Sequence, residues 1–292
     1  MSQDSNAQRQ QFIAAHNERH GSEITRAKDR YEVLHAAGAT VDELSAAAGE
    51  LLSMAPMPVI IIAAGQLRLY RVRAFEPEAE CATTRDLSYP PPGIAGMGRA
   101  NRAGNQVLYV ATAPVVAVKE AKVVPNQHFV LAEYVIRENL GLLHVGVWNS
   151  PERDFISRMA KGGASALNAL DEFGRQNVHE AHRWLGELFL SEDRTRYPLS
   201  TALAEILLRA DGFVFPSLFE RRQYNIVLNT ATADQKLTPV RYWRGVLDGH
   251  AQTNGEEGIQ SRLYDHATAL DGERIVWTGL APTAMPTDAP NA

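Results

Sequence analysis

The stretch GMGRANRAGNQVLYVATAPVVAVKEA, Gly96–Ala121, places a glycine- and arginine-bearing turn, an apolar run centred on Tyr109 and an acid at Glu120 in close succession. VLYVAT, at 107–112, is rich in β-branched and aromatic residues and reads as a compact strand. Pro114 suits the first turn of a helix, because its missing N–H is one of the donors that a helix start leaves unsatisfied. A short helix therefore follows the strand and bears Glu120. The glycines ahead of the strand allow a backbone to approach a ligand closely.

Outward from this unit, Val59 to Ile62 and Leu67 to Phe75 are strand-like, and Glu76 to Asn105 reads as a loop with three prolines directly after Tyr89 and then four glycines. Residues 2 to 53 carry apolar positions at helical spacing, with a break at Gly38 and a fresh start at Thr40 or Asp42. Residues 1–57 are thus expected to form an N-terminal helical extension, a cap or a partner-docking element. ISRMAKGG, ALNALDEFG, HEAHRWLGELFL and TALAEILLRA make the middle helical. FVFPSLF, NIVLNT, PVRYWRGVL and RIVWTGL then mark a second β-rich part. One domain is expected over 58–280, and the tail at 281–292 is expected to be disordered. The order β, helices, β predicts an α+β fold rather than alternating βαβ units.

Composition narrows the function. The chain has 292 residues, 45% hydrophobic and 22% charged, enough for a substantial core. A net charge of −5 argues against a general nucleic-acid or anionic-membrane binder, since both need clustered Lys and Arg. The one cysteine, Cys81, excludes an internal disulfide and a cysteine-rich zinc site. The N-terminus lacks the basic-then-apolar order of a signal peptide, and MAPMPVIIIAAG is too short to span a bilayer. A cytoplasmic protein is expected, with signal-independent export left open.

Several motifs fail on context. Gly96, Gly98 and Asn101 partly imitate a dinucleotide fingerprint, but prolines precede them and a strand follows, where the fingerprint needs a preceding strand and a following helix. In HEAHRW the histidines His179 and His182 are one residue too close for the zinc-protease pattern and no third ligand is evident. A solvated helix is the better reading, and no metal is expected. No GxSxG elbow is present. What remains is a scattered polar set in apolar surroundings: Arg71, Arg99, Tyr109, Glu120 and Ser217. Singly, each has a bland reading as an edge arginine, a loop arginine or a core aromatic. Arg71 and Arg73 share a strand face, so spacing does not choose between them.

Together, LYRVR, GRAN with its following glycine and VLYVA, AVKE, YPLSTALAEILL and DGFVFPSLF leading into YNIVL resemble the RES domain, over roughly residues 66 to 230. The resemblance implies an ADP-ribosyltransferase-like split β-core with a helical insertion, acting on NAD as substrate. It maps the family's arginines to Arg71 and Arg99, its tyrosine to Tyr109, its glutamate to Glu120 and its serine to Ser217, with Asn101 in the binding loop. Catalysis would fall to Glu120, Arg71 and Ser217. The resemblance implies a bacterial toxin that breaks the nicotinamide–ribose bond by phosphorolysis or hydrolysis. An antitoxin or immunity protein would cover its cleft, and a homo-oligomer is possible. Alternatives are ADP-ribosyl transfer to a protein, a secreted antibacterial effector, and a module that binds without turnover. Two departures stand out: Ala100 where the family loop often has tryptophan, and the long stretch between Glu120 and Ser217.

Overall fold

The computed structural model describes residues 23–55, 57–76, 82–146, 172–219, 223–253 and 256–282. In chain order the elements are α1 (residues 23–36), α2 (Val41–Met54), β1 (Val59–Ile62), β2 (Arg68–Phe75), β3 (Val107–Ala111), α3 (Pro114–Glu120), β4 (His128–Ile136) and β5 (Leu140–His144). There follow α4 (Glu172–Leu190), α5 (Tyr197–Leu207), β6 (Gly212–Pro216), β7 (Tyr224–Asn229), α6 (Thr230–Lys236), β8 (Leu237–Thr253), β9 (Glu256–Ala267), β10 (Ala269–Asp271) and β11 (Arg274–Val276). The class is α+β, as the order of elements in the sequence implies. The chain divides into a mainly helical unit, Met1–Ile61, Gly96–Ala103 and Leu142–Ala210, and a sheet-bearing unit, Ile62–Ala95, Gly104–Gly141 and Asp211–Ala292.

In the helical unit the break at Gly38 is real: its φ of 79° lies where glycine is favoured, and α1 ends there. Thr40 starts α2 with a capping box. Its hydroxyl accepts from the Glu43 N–H, and the Glu43 carboxylate accepts from the Thr40 N–H at 2.7 Å. Leu44, Ala47, Ala48 and Leu51 form the buried stripe of α2. Tyr31 of α1 is fully buried; its hydroxyl donates to the Leu199 carbonyl at 2.7 Å and its ring meets Trp184 edge-on at 5.9 Å. The helices before residue 57 are therefore packed on α4 and α5 through specific contacts.

HEAHRW differs from its expectation of a solvated helix. His182 is fully buried, along with Ala181, Leu185, Leu188 and Phe189. Those positions share one face of α4, and the charged Glu180 and Arg183 that suggest solvent lie off it. Burial, and then the neighbouring His182, pull the imidazole of His144 down to about 3, so it is neutral at physiological pH.

The strands of the sheet-bearing unit run in the order β6-β7-β3-β2-β4-β8-β9. Within the sheet-bearing unit β6–β7, β7–β3, β3–β2, β2–β4, β4–β8 and β8–β9 all pair antiparallel. The interior strand β4, HFVLAEYVI, is not among the strands expected above; it is buried along nearly its whole length, so it lacks the alternation that marks a half-exposed strand. Its one acid, Glu133, is buried beside Arg68 at 3.4 Å and Arg241 at 3.9 Å. α3 covers one face, where Val116, Ala117 and Val118 join a core with Tyr70, Val72, Ala111, Phe129, Leu131 and Trp243. β3 and β2 share a single register pair, Tyr70 with Ala111, and the ladder goes no further.

Candidate active site

That interruption defines the setting of Arg71. Tyr70 and Val72 point to the α3 face, so alternation turns Arg71 to the other. Its guanidinium, rather than a backbone amide of β2, meets β3: Nη1 donates to the Tyr109 carbonyl at 2.8 Å. Its Nε is buried and has no hydrogen-bond partner, and among the described residues Arg71 forms no ion pair. Burial pulls the guanidinium below the ordinary arginine range; Tyr134 and Tyr109 oppose this and Arg73 adds to it. The charge persists at neutral pH. Arg73, two residues on, is exposed and donates to the Asp86 carbonyl at 2.7 Å. The two arginines that spacing leaves equivalent thus sit in opposite environments, one tied to a loop and one buried with a donor to spare.

Glu120 is the last residue of α3, a seven-residue helix with Pro114 in its first turn. A carboxylate at that end faces the negative pole of the helix, which disfavours it. The Asn225 side chain offsets this, donating from Nδ2 to Glu120 Oε1 at 2.6 Å. Asn225 is buried in β7, between Ala111 of β3 and Phe215 of β6. Ser217, buried just beyond β6, donates its N–H to the Gln223 carbonyl at 2.9 Å, and its Oγ accepts from the Phe219 N–H at 3.1 Å. Thr112 steadies the same end of the sheet: its hydroxyl donates to Gln223 Oε1 at 2.8 Å and accepts from the Tyr224 N–H at 2.9 Å. Tyr109 is half-buried between the buried Leu108 and Val110.

The remaining two residues of the expected set belong to the helical unit. Arg99 donates from Nη1 to the Phe189 carbonyl at 2.8 Å, at the C-terminal end of α4, where a cation is favoured. Asn101 braces its own loop, donating from Nδ2 to the Gly96 carbonyl at 2.8 Å and the Arg102 carbonyl at 2.9 Å. α5 holds this loop from outside. Thr201 Oγ1 donates to the Gly98 carbonyl at 2.9 Å, and Glu205 grips Arg102 through both oxygens, with Nη2 to Oε2 at 2.7 Å. Arg102 also meets Asp42 of α2 at 2.6 Å. The threonine and glutamate of YPLSTALAE are therefore loop braces. Replacing Glu205 by Ala is expected to lower stability by about 1 kcal/mol in urea denaturation, the worth of a charge-assisted pair reduced by the partial exposure of both side chains. D42A, losing a fully exposed partner, should leave the midpoint unchanged.

The structure thus brings Glu120 to Asn225 and Arg71 to the Tyr109 backbone, sets Ser217 on the strand pair that carries Asn225, and keeps Arg99 and Asn101 on the loop braced by α5. Asn225 and Thr112 are absent from the sequence-derived set; an amide inside the otherwise apolar run YNIVL is the signal that points to Asn225. Among the described residues no group of three or more His, Cys, Asp or Glu side chains could hold a metal ion, and no helix is long and apolar enough to cross a membrane.

Residues 68–248 match the family described as the RES domain. No curated protein matches the chain. Among solved structures, the chain is similar to one described as the crystal structure of the M. tuberculosis MbcT–MbcA toxin–antitoxin complex. The identity is 12%, the TM-score 0.32, and the match covers 70% of this chain and 86% of that one.

Proposed function

The chain belongs to the RES-domain family, and we propose that it consumes NAD by cleaving the nicotinamide–ribose bond, as the toxin of a toxin–antitoxin pair. The observation that carries this reading is Arg71: a half-buried side chain whose Nε is buried and has no hydrogen-bond partner, and which forms no ion pair among the described residues. Such a donor is costly unless an anion completes it, and a diphosphate supplies paired oxygens of the right geometry. Each charge-assisted bond contributes roughly 1.5–3 kcal/mol.

The chemistry follows from the residues. When the C1′–N bond breaks, nicotinamide leaves as a neutral molecule with the bonding electron pair and the ribose is left cationic. The Glu120 carboxylate stabilises that developing charge or holds the ribose hydroxyls. Phosphate or water then adds to C1′ and releases a proton. Tyr109 offers a ring face for stacking against nicotinamide or ribose, and the Ser217 hydroxyl a hydrogen bond to the carboxamide or a phosphate. Arg99 and Asn101, on the loop of the helical unit, are the further residues that the family resemblance assigns to NAD binding. An antitoxin covering the substrate site is the proposed partner, with the pair acting in the cytosol.

Incubation with labelled NAD, with and without phosphate, tests the reading. Label in free ADP-ribose or its phosphorylated form is the expected result, and the phosphate dependence names the acceptor. Label transferred to a protein would replace this reading by ADP-ribosyl transfer, and no NAD loss would overturn it.

A further inference from the structure

We propose that Asn225 is the positioning residue for the Glu120 carboxylate, an inference that rests on Glu120 acting on NAD. Glu120 sits at the end of a short element. It ends a helix of seven residues, it is only half-buried, and the chain turns at once through Lys122, whose φ is 53°. The helix pole beside it repels an anion.

Asn225 has the opposite character. Hydrogen-bonded strands flank it on both sides, and only 5% of its surface is exposed. In such a site the side chain keeps one rotamer, and its Nδ2 meets Oε1 at the short end of the hydrogen-bond range. An amide suits the task chemically. It donates at every physiological pH, where an acid in its place would donate only when protonated. The bond pins one oxygen, which fixes the plane in which the group faces the ribose.

The test uses the full-length chain and steady-state NAD turnover across pH. N225A is expected to lower kcat between tenfold and a hundredfold with KM for NAD changed less than threefold, because the bond aligns a reacting group rather than binding substrate. N225D, which keeps the shape, should be weaker still at pH 8 and recover as the pH falls, since its side chain donates only when protonated. A purely structural role would not produce that reversed pH profile. If N225A does not fold, N225D decides by the profile alone. Parental kcat in N225A, or a parental pH profile in N225D, overturns the proposal.

One further measurement separates this inference from the proposed function. In a two-dimensional NMR spectrum the Asn225 side-chain amide proton should lie downfield and move upfield in E120A. If the parent fails to turn over NAD, the proposed function falls. The resonance then decides on Asn225: an unmoved signal overturns the contact and a moved one supports it.

Discussion

Glu120→Gln is expected to abolish the proposed NAD consumption, with turnover reduced at least about a hundredfold while the chain remains folded; that magnitude is typical of removing one group that stabilises transition-state charge. The substitution preserves shape and leaves an amide oxygen that Asn225 Nδ2 still meets, so the contact between α3 and β7 survives. What disappears is the negative charge that, in the proposed reaction, faces a ribose becoming cationic as nicotinamide leaves. Chromatographic measurement of NAD loss, beside a thermal melt of both proteins, decides the matter. A variant that depletes NAD as fast as the parent would remove Glu120 from the mechanism.

The second large effect belongs to Arg71→Lys. Lysine keeps the charge but has no planar fork, so it does not hold the Tyr109 carbonyl and a phosphate oxygen together. Loss of a charge-assisted bond worth roughly 1.5–3 kcal/mol lowers kcat/KM for NAD by a factor of about 10 to 150. The effect should lie mainly in KM, because the diphosphate is held alike before and during bond cleavage. Arg73→Lys is the internal control: exposed and tied to the Asp86 carbonyl, it should change kcat/KM by less than twofold. Equal losses in the two variants would mean that burial has misidentified the anion-binding arginine.

Much of this was legible in the chain. Strand β3 followed by α3 could be read from VLYVAT and Pro114, because β-branched packing and the helix-start preference of proline are local properties. The start of α2 at Thr40 was legible for the same reason: a capping box closes within four residues. β4 was missed because a strand covered on both faces loses its period of two. His182 looked solvated because its charged neighbours on the other face of α4 outweigh it in a linear reading.

The sequence by itself determined the α+β class, the order of strands and helices around Gly96–Ala121, and the family to which that order belongs. These rest on spacing and on short-range preferences, which a chain carries with it before it folds. Only the tertiary structure set Arg71 and Arg73 in different surroundings, found Asn225 against Glu120, and turned Thr201 and Glu205 into braces of the GRAN loop. Each of these joins positions far apart in the chain, 105 residues in the case of Asn225 and Glu120. Contacts of that kind come from strand pairing and burial, and no local pattern encodes them.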